Sequence, residues 1–288
     1  MKRNRKATIL WGLLLCAGLH ISCTGGKAHT SEPENIERKY GWLLGAQAYT
    51  FKNFTFYEVL QKIDSCGLKY VEAYPNQLIG NGIEGLTHFS MDLETRAKVK
   101  AMLSKSGVQM AGYGVVKASG AEEWEKVFEF CKYMGVTTMT CEPARADLDI
   151  VSALCDKYQI NAAIHNHPAP TTYWNPDTVL DAIKGRSARL GVCADIGHWV
   201  RSGLDPLTSL QKLKGHIMHF HFKDISQVEN RSESEVTWGK GLCKIPAVMQ
   251  EMKAQHFKGM ISVEYEHNLS NNVDPVKESV WYFRNELK

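Results

Sequence analysis

Carboxylates and imidazoles recur at the ends of short apolar runs from residue 142 onward. Glu142 closes TTMTCEP, His165 and His167 close NAAIHNH, Asp195 and His198 close LGVCADIGH, His219, His221 and Lys223 fall in HIMHFHFKD, and Glu264 and Glu266 in MISVEYEHN. Side chains of these types ligate divalent cations and take up and return protons near neutral pH. One such residue is uninformative, because a lone histidine or glutamate at a strand end is more often structural. Repetition over consecutive runs points to a shared site.

For these ends to converge, the runs must be parallel strands of one sheet. From Gly41 onward apolar runs alternate with amphipathic stretches, the pattern of βαβ units. Strands are expected to begin near Gly45, Lys69, Gln109, Thr137, Asn161, Leu190, His216 and Met260. Their starts lie about 31 residues apart, a normal βα repeat, so the expected fold is a single α/β domain over 41–288, a (β/α)8 TIM barrel. Between them, helical patterns over 56–66, 94–106 and 121–134 end before Gly67, Gly107 and Gly135, which suit the left-handed position after a helix. Asn175-Pro176 and Asp205-Pro206 each read as an N-cap followed by proline at the first helical position. An open doubly wound sheet competes, but no GxGxxG or GxxxxGK[ST] follows the first strand. Two connections are long, 74–93 and 225–240. Both fall on the face where barrel enzymes bind ligands, as lids or as plain surface insertions.

Residues two apart on a strand face the same way, so His219 and His221 share a face, as do Glu264 and Glu266, and spacing does not select within either pair. Asp195 and His198 bracket a strand end and the turn after it, where both can point at the barrel mouth. Glu72 on the second strand, Tyr113 on the third and Trp199 beside His198 are candidate walls of a sugar pocket, with core packing the alternative for each.

The N-terminus reads as an export signal over residues 1–22: KRNRK is followed by ATILWGLLLCAGL, an apolar stretch too short to span a membrane. His20-Ile21-Ser22-Cys23 resembles the lipobox of bacterial lipoproteins, which implies lipidation of Cys23 and a polar tether over 23–40; ordinary signal cleavage is the alternative. The protein is thus expected in the periplasm or at a membrane surface, touching lipid only through that anchor. Of 288 residues, 266 then remain, enough for one large domain. The formal charge of +3 counts Lys2, Arg3, Arg5 and Lys6; without them it is −1, which lacks the basic excess of a nucleic-acid binder. Of 8 cysteines, those after Cys23 show no CxxC or CxH spacing, which argues against a cysteine zinc site. Cys131, Cys141, Cys155 and Cys193 lie in apolar settings and read as small buried hydrophobes.

In their order, Glu142-Pro143, His165-Asn166-His167, Asp195-Ile196-Gly197-His198, His219-Phe220-His221-Phe222-Lys223-Asp224 and Ile261-Ser262-Val263-Glu264-Tyr265-Glu266 resemble the xylose-isomerase-like barrel superfamily of sugar phosphate isomerases and epimerases. That group includes ketose 3-epimerases, inosose dehydratase and endonuclease IV, and the resemblance spans nearly all of the mature chain. It implies one divalent metal ion held by Asp195, His221 and Glu264. In the ketose 3-epimerases a glutamate closes the fifth strand; here His165 stands at about that position. Glu142 is therefore the expected fourth ligand, with His167 as the alternative. Such a donor set suits Mn²⁺, Mg²⁺, Co²⁺ or Zn²⁺. The implied reaction is isomerisation or epimerisation of a ketose or keto-sugar by proton abstraction through a metal-stabilised enediolate. Glu264 and Glu142 are the implied acid and base, and His198 and Lys223, with His165 and His167, would hold hydroxyls or the oxyanion. A Lys223–Asp224 salt bridge at the strand end is the alternative for Lys223, a hydrogen-bonded core position for His219, and an outer partner of a ligand for Glu266.

A lyase or hydratase acting on a 3-keto-glycoside or an inositol derivative is the nearest rival, since it needs the same enolate and export argues against phosphorylated sugars. Endonuclease IV draws further histidines from strands two and three, where this chain has Glu72-Ala73-Tyr74 and Gly112-Tyr113-Gly114 instead. A non-catalytic sugar-binding lipoprotein would need a broken ligand set. The partner expected is thus a small carbohydrate and not nucleic acid; no oligomer is specified.

Overall fold

The structure, a computed structural model, describes residues 35–228 and 234–288. The signal segment, Cys23 and the tether as far as residue 34 lie outside the described residues. Eight parallel strands follow one another around a closed barrel in chain order. They are β1 (Trp42–Gln47), β2 (Tyr70–Ala73), β3 (Gln109–Val116), β4 (Thr138–Cys141), β5 (Asn161–His165), β6 (Leu190–Asp195), β7 (Ile217–Phe222) and β8 (Gly259–Val263). Each begins within three residues of its expected start. β6 is buried at every position because one face meets the barrel interior and the other the surrounding helices.

The outer layer holds α1 (Phe56–Ser65), α2 (Leu93–Ser106), α3 (Gly120–Met134), α4 (Leu148–Tyr158), α5 (Pro176–Ile183), α6 (Ile196–Arg201), α7 (Pro206–Lys212), α8 (Ile245–Ala254) and α9 (Val273–Asn285). Their ends follow local chemistry. Thr55 and Glu58 form a capping box on α1, and Asn175 caps α5 ahead of Pro176. Gly107 and Gly135 take left-handed φ values of 68° and 84° after α2 and α3, where a side chain would be strained. The cysteines from Cys66 to Cys243 are unpaired and buried. Among the described residues no helix is long and apolar enough to cross a membrane.

Register sets the site. Asp195 pairs with His221 across β6 and β7, His221 with Ser262 across β7 and β8, and His165 with Cys193 across β5 and β6. His219, two residues before His221, occupies the layer below it on the same inward face.

Both long connections fold back as two-stranded ribbons, Leu78–Gly80 with Ile83–Leu86 and Asp224–Ile225 with Glu235–Val236. Asp224 does not pair with Lys223. Its carboxylate accepts the backbone N–H groups of Ile225 (3.0 Å), Gly239 (2.9 Å), Gly241 (2.9 Å) and Cys243 (3.1 Å), which shapes the chain after β7.

The expected tether is too long at its C-terminal end. Ile36–Tyr40 form a 3-10 helix, and Glu37 is buried against Arg284 of α9. The guanidinium donates to both carboxylate oxygens, at 3.0 and 3.2 Å, and to the Gly67 carbonyl at 3.1 Å. Removing one partner of such a pair strands a buried charge. Arg284→Met should therefore cost about 3–5 kcal/mol in chemical denaturation, and most of that loss should return in Glu37→Leu/Arg284→Met.

Candidate active site

At the centre of the barrel lies a fully buried carboxylate, Glu72 on β2. Its Oε1 accepts from Thr140 Oγ1 of β4 at 2.5 Å. Its Oε2 faces His219 Nε2 at 2.9 Å, His221 Nε2 at 2.8 Å and Ser262 Oγ at 2.5 Å. Burial works against the charge on Glu72, but His221 and His219 outweigh it and hold the carboxyl well below the usual carboxylate range. Gly112 on β3 makes room for this group, since a Cβ there would sit 3.0 Å from Glu72 Cγ and 3.2 Å from the His219 ring.

His221 Nε2 faces Glu72, and Nδ1 points upward to Glu264 Oε1 at 3.3 Å; burial opposes a charge on the ring, but Glu72 and Glu264 outweigh it and raise its pKa. Asp195 closes β6 and caps α6: Oδ1 accepts the His198 N–H at 2.7 Å, while Oδ2 has no hydrogen-bond partner. Asn166 fixes the Asp195 backbone at two points, donating to its carbonyl and accepting its N–H, each at 2.9 Å. His165 turns Nε2 toward Asp195 Oδ2 (3.6 Å) and Nδ1 toward Glu142 Oε1 (3.5 Å).

Asp195, His221 and Glu264 thus bring ligand atoms within 4.8 Å of one another, and His165, Asp195 and His198 form an overlapping group. His165 Nε2, Asp195 Oδ2 and His221 Nδ1 are all buried without hydrogen-bond partners. Buried polar atoms are rarely left so, and nitrogen and oxygen donors of these types fit a divalent cation that would take the place of the ring protons. Burial opposes a charge on His165, but Asp195 and Glu142 raise its pKa to about 9, so without a cation that ring carries a proton.

Glu142, with His165 and His167, forms a further group able to hold a cation. It follows β4, two strands from Asp195, with His165 of β5 between them. Its neighbours are His165, His167 Nδ1 in very close contact, and Lys117 at 3.0 Å. It therefore stands behind His165 and outside the group around Asp195, His221 and Glu264. Burial would raise its pKa, but the two imidazoles hold it far below the ordinary range.

Lys223 is buried and surrounded by carboxylates: Glu266 at 2.8 Å, Glu264 at 2.9 Å, and Asp195 and Glu235 at 3.8 Å each. Burial disfavours its charge, yet these acids, Glu264 foremost, keep it well above the usual lysine range. His198 goes the other way, since burial, Lys223 and its neighbouring imidazoles outweigh Asp195 and leave it neutral.

Above these groups opens a cavity of about 610 Å³, lined by His165, His167, His198, Lys223, Glu264 and Glu266 below and by Tyr49, Tyr74, His88 and Phe89 toward the rim. The connection over 74–93 contributes to its wall. Three expected wall residues do not line it. Glu72 has both oxygens committed beneath the histidines. Tyr113 faces outward, its hydroxyl donating to the Thr87 carbonyl at 2.9 Å and its ring packing on Phe130. Trp199 is buried in the core. Asn166, Ser262, Thr140, Arg201 and Glu235 were not singled out from the sequence. Asn166 alone had a local signal, its place between two candidate histidines.

None of the curated proteins matches the chain. Among solved structures, a putative uncharacterized protein from Parabacteroides distasonis is 36% identical with a TM-score of 0.70, over 85% of this chain and 99% of its own. The IolI protein with a bound zinc atom has a TM-score of 0.66 at 14% identity, over 85% of this chain and 97% of its own. The 3-keto-D-glucoside 4-epimerase of E. coli has 0.63 at 12%, over 85% and 99%; at such identities the likeness is one of fold. The family model described as xylose isomerase-like TIM barrel matches residues 60–286. The chain belongs to the xylose isomerase-like TIM barrel family.

Proposed function

We propose that this protein is a divalent-metal-dependent carbohydrate isomerase or epimerase that moves a proton at a carbon next to a sugar carbonyl. The observation carrying this reading is that Asp195, His221 and Glu264 bring ligand atoms within 4.8 Å of one another, with His165 in an overlapping group through Asp195, while Asp195 Oδ2, His221 Nδ1 and His165 Nε2 are buried without hydrogen-bond partners. Those four residues would hold the cation, and Glu142 would orient His165 through Nδ1 without touching the ion. Bound there, a divalent cation supplies Lewis-acid polarisation of a carbonyl oxygen, which acidifies the neighbouring C–H.

The chain's own groups supply the rest. Glu264 borders the cavity and is the carboxylate that takes the proton from carbon; in an isomerisation it returns it to the neighbouring carbon, while an epimerisation needs a second donor on the opposite face. Lys223 donates to negative charge developing on oxygen, and its surrounding acids keep it protonated for that role. His198, uncharged, and His167, half-exposed at the cavity wall, orient hydroxyls. One further reading is a lyase or hydratase on a keto-glycoside, for which the buried, charged Lys223 beside Glu264 is the supporting observation. It begins with the same proton abstraction and differs in losing a β-substituent, whose oxygen Lys223 could protonate. Both readings agree with export from the cytoplasm, where unphosphorylated sugars are met.

Metal analysis of protein lacking residues 1–22 is expected to give about one Mn, Co, Mg or Zn per chain, lost in Asp195→Ala and in His221→Ala. Such loaded protein should catalyse solvent deuterium incorporation into a ketose or keto-glycoside; absence of metal after reconstitution would falsify the reading. Glu142→Gln should retain the site but weaken affinity about 10–100-fold by competition titration, as expected for an outer partner. Complete loss of metal there would instead make Glu142 a ligand.

A further inference from the structure

The cavity is polar and charged at its floor and aromatic at its rim. The rim aromatics are held in place without a bound molecule: Tyr49 and Tyr74 meet edge to face at 5.1 Å, His88 and Phe89 stack at 4.0 Å, and Lys52 sits 4.2 Å over the Tyr49 ring. Tyr49 nevertheless leaves 39% of its surface exposed. A rigid exposed aromatic over a cavity offers a face for stacking at low entropic cost. At about 610 Å³ the cavity is within the range that encloses a multi-ring ligand rather than one hexose.

Charge narrows the ligand further. Among the described residues, the three cations lining the cavity each face a carboxylate: Lys117 with Glu142 at 3.0 Å, Arg201 with Glu235 at 2.8 Å, and Lys223 with Glu266 and Glu264 at 2.8 and 2.9 Å. At Arg201 or Lys223 a phosphate would have to displace a carboxylate in a buried setting, and at the exposed Lys117 it would meet a charge already matched by Glu142.

We infer that the substrate is an uncharged keto-glycoside, its reacting sugar on the charged floor and the ring of its aglycone stacked at a rim subsite built by Tyr49, Tyr74 and Phe89. This rests on the proposed proton-transfer reading and adds to it the substrate's size and charge.

Calorimetry on the metal-loaded chain lacking residues 1–22 tests it, using methyl and 4-nitrophenyl 3-keto-β-glycosides derived from D-glucose, D-galactose and D-mannose, and glucose against glucose 6-phosphate. For at least one sugar the aryl glycoside should bind about tenfold tighter than the methyl glycoside. Tyr49→Ala should erase that difference and Tyr49→Phe should keep it, with metal content equal in all three proteins. Glucose 6-phosphate should bind no tighter than glucose. Equal or undetectable binding of aryl and methyl glycosides by metal-loaded protein would overturn the subsite while leaving the proton-transfer reading intact. Tighter binding of the phosphate would overturn the inferred neutrality. A protein that takes up no metal would remove the reading beneath both.

Discussion

Everything above the barrel floor depends on one buried negative charge. Glu72 comes from β2, yet its two oxygens gather side chains of β4, β7 and β8, so a single carboxylate cross-braces half of the strands. An unpaired carboxylate in such a place would be expensive. Here four hydrogen-bond donors offset its desolvation, and the arrangement has a chemical by-product. By engaging His221 Nε2, Glu72 turns the opposite nitrogen toward the mouth, where it could serve a cation. The charge that secures the interior also prepares a ligand two layers from where a substrate would sit.

The same logic repeats one strand over in looser form. Glu142 faces Nδ1 of His165 and thereby turns Nε2 toward Asp195. Replacing a carboxylate by imidazole at this strand end takes one negative charge out of the ligand group. Its neighbour Lys223 is the counterweight to the remaining acids, held by four carboxylate neighbours within 3.8 Å. The site is thus balanced by alternation of sign from strand to strand, not by a surplus of either.

Much of this was legible in the sequence. Strand positions followed from apolar runs separated by capped helices, whereas Asp195, His221 and Glu264 were picked out within their runs only by the resemblance to the family. What the sequence withheld was phase and depth. His219 and His221 share a face, but only the pairing with Met260 and Ser262 shows that one lies beneath the other. Tyr113 follows Gly112, which must face inward to clear Glu72, so the tyrosine turns outward; a one-residue difference in phase moves a side chain from pocket to helix layer. Glu142 looked like the nearest spare carboxylate because distance along the chain does not reveal that β5 intervenes. Ser262 and Thr140 carry no signal of their own, since a hydroxyl on a strand acquires meaning only from the carboxylate it meets.

The short helix Ile36–Tyr40 runs straight into the start of β1, while all the groups described for the site gather at the opposite ends of the strands. Arg284 locks that helix to α9. Whatever precedes residue 35 is therefore joined to the pole of the barrel farthest from the mouth.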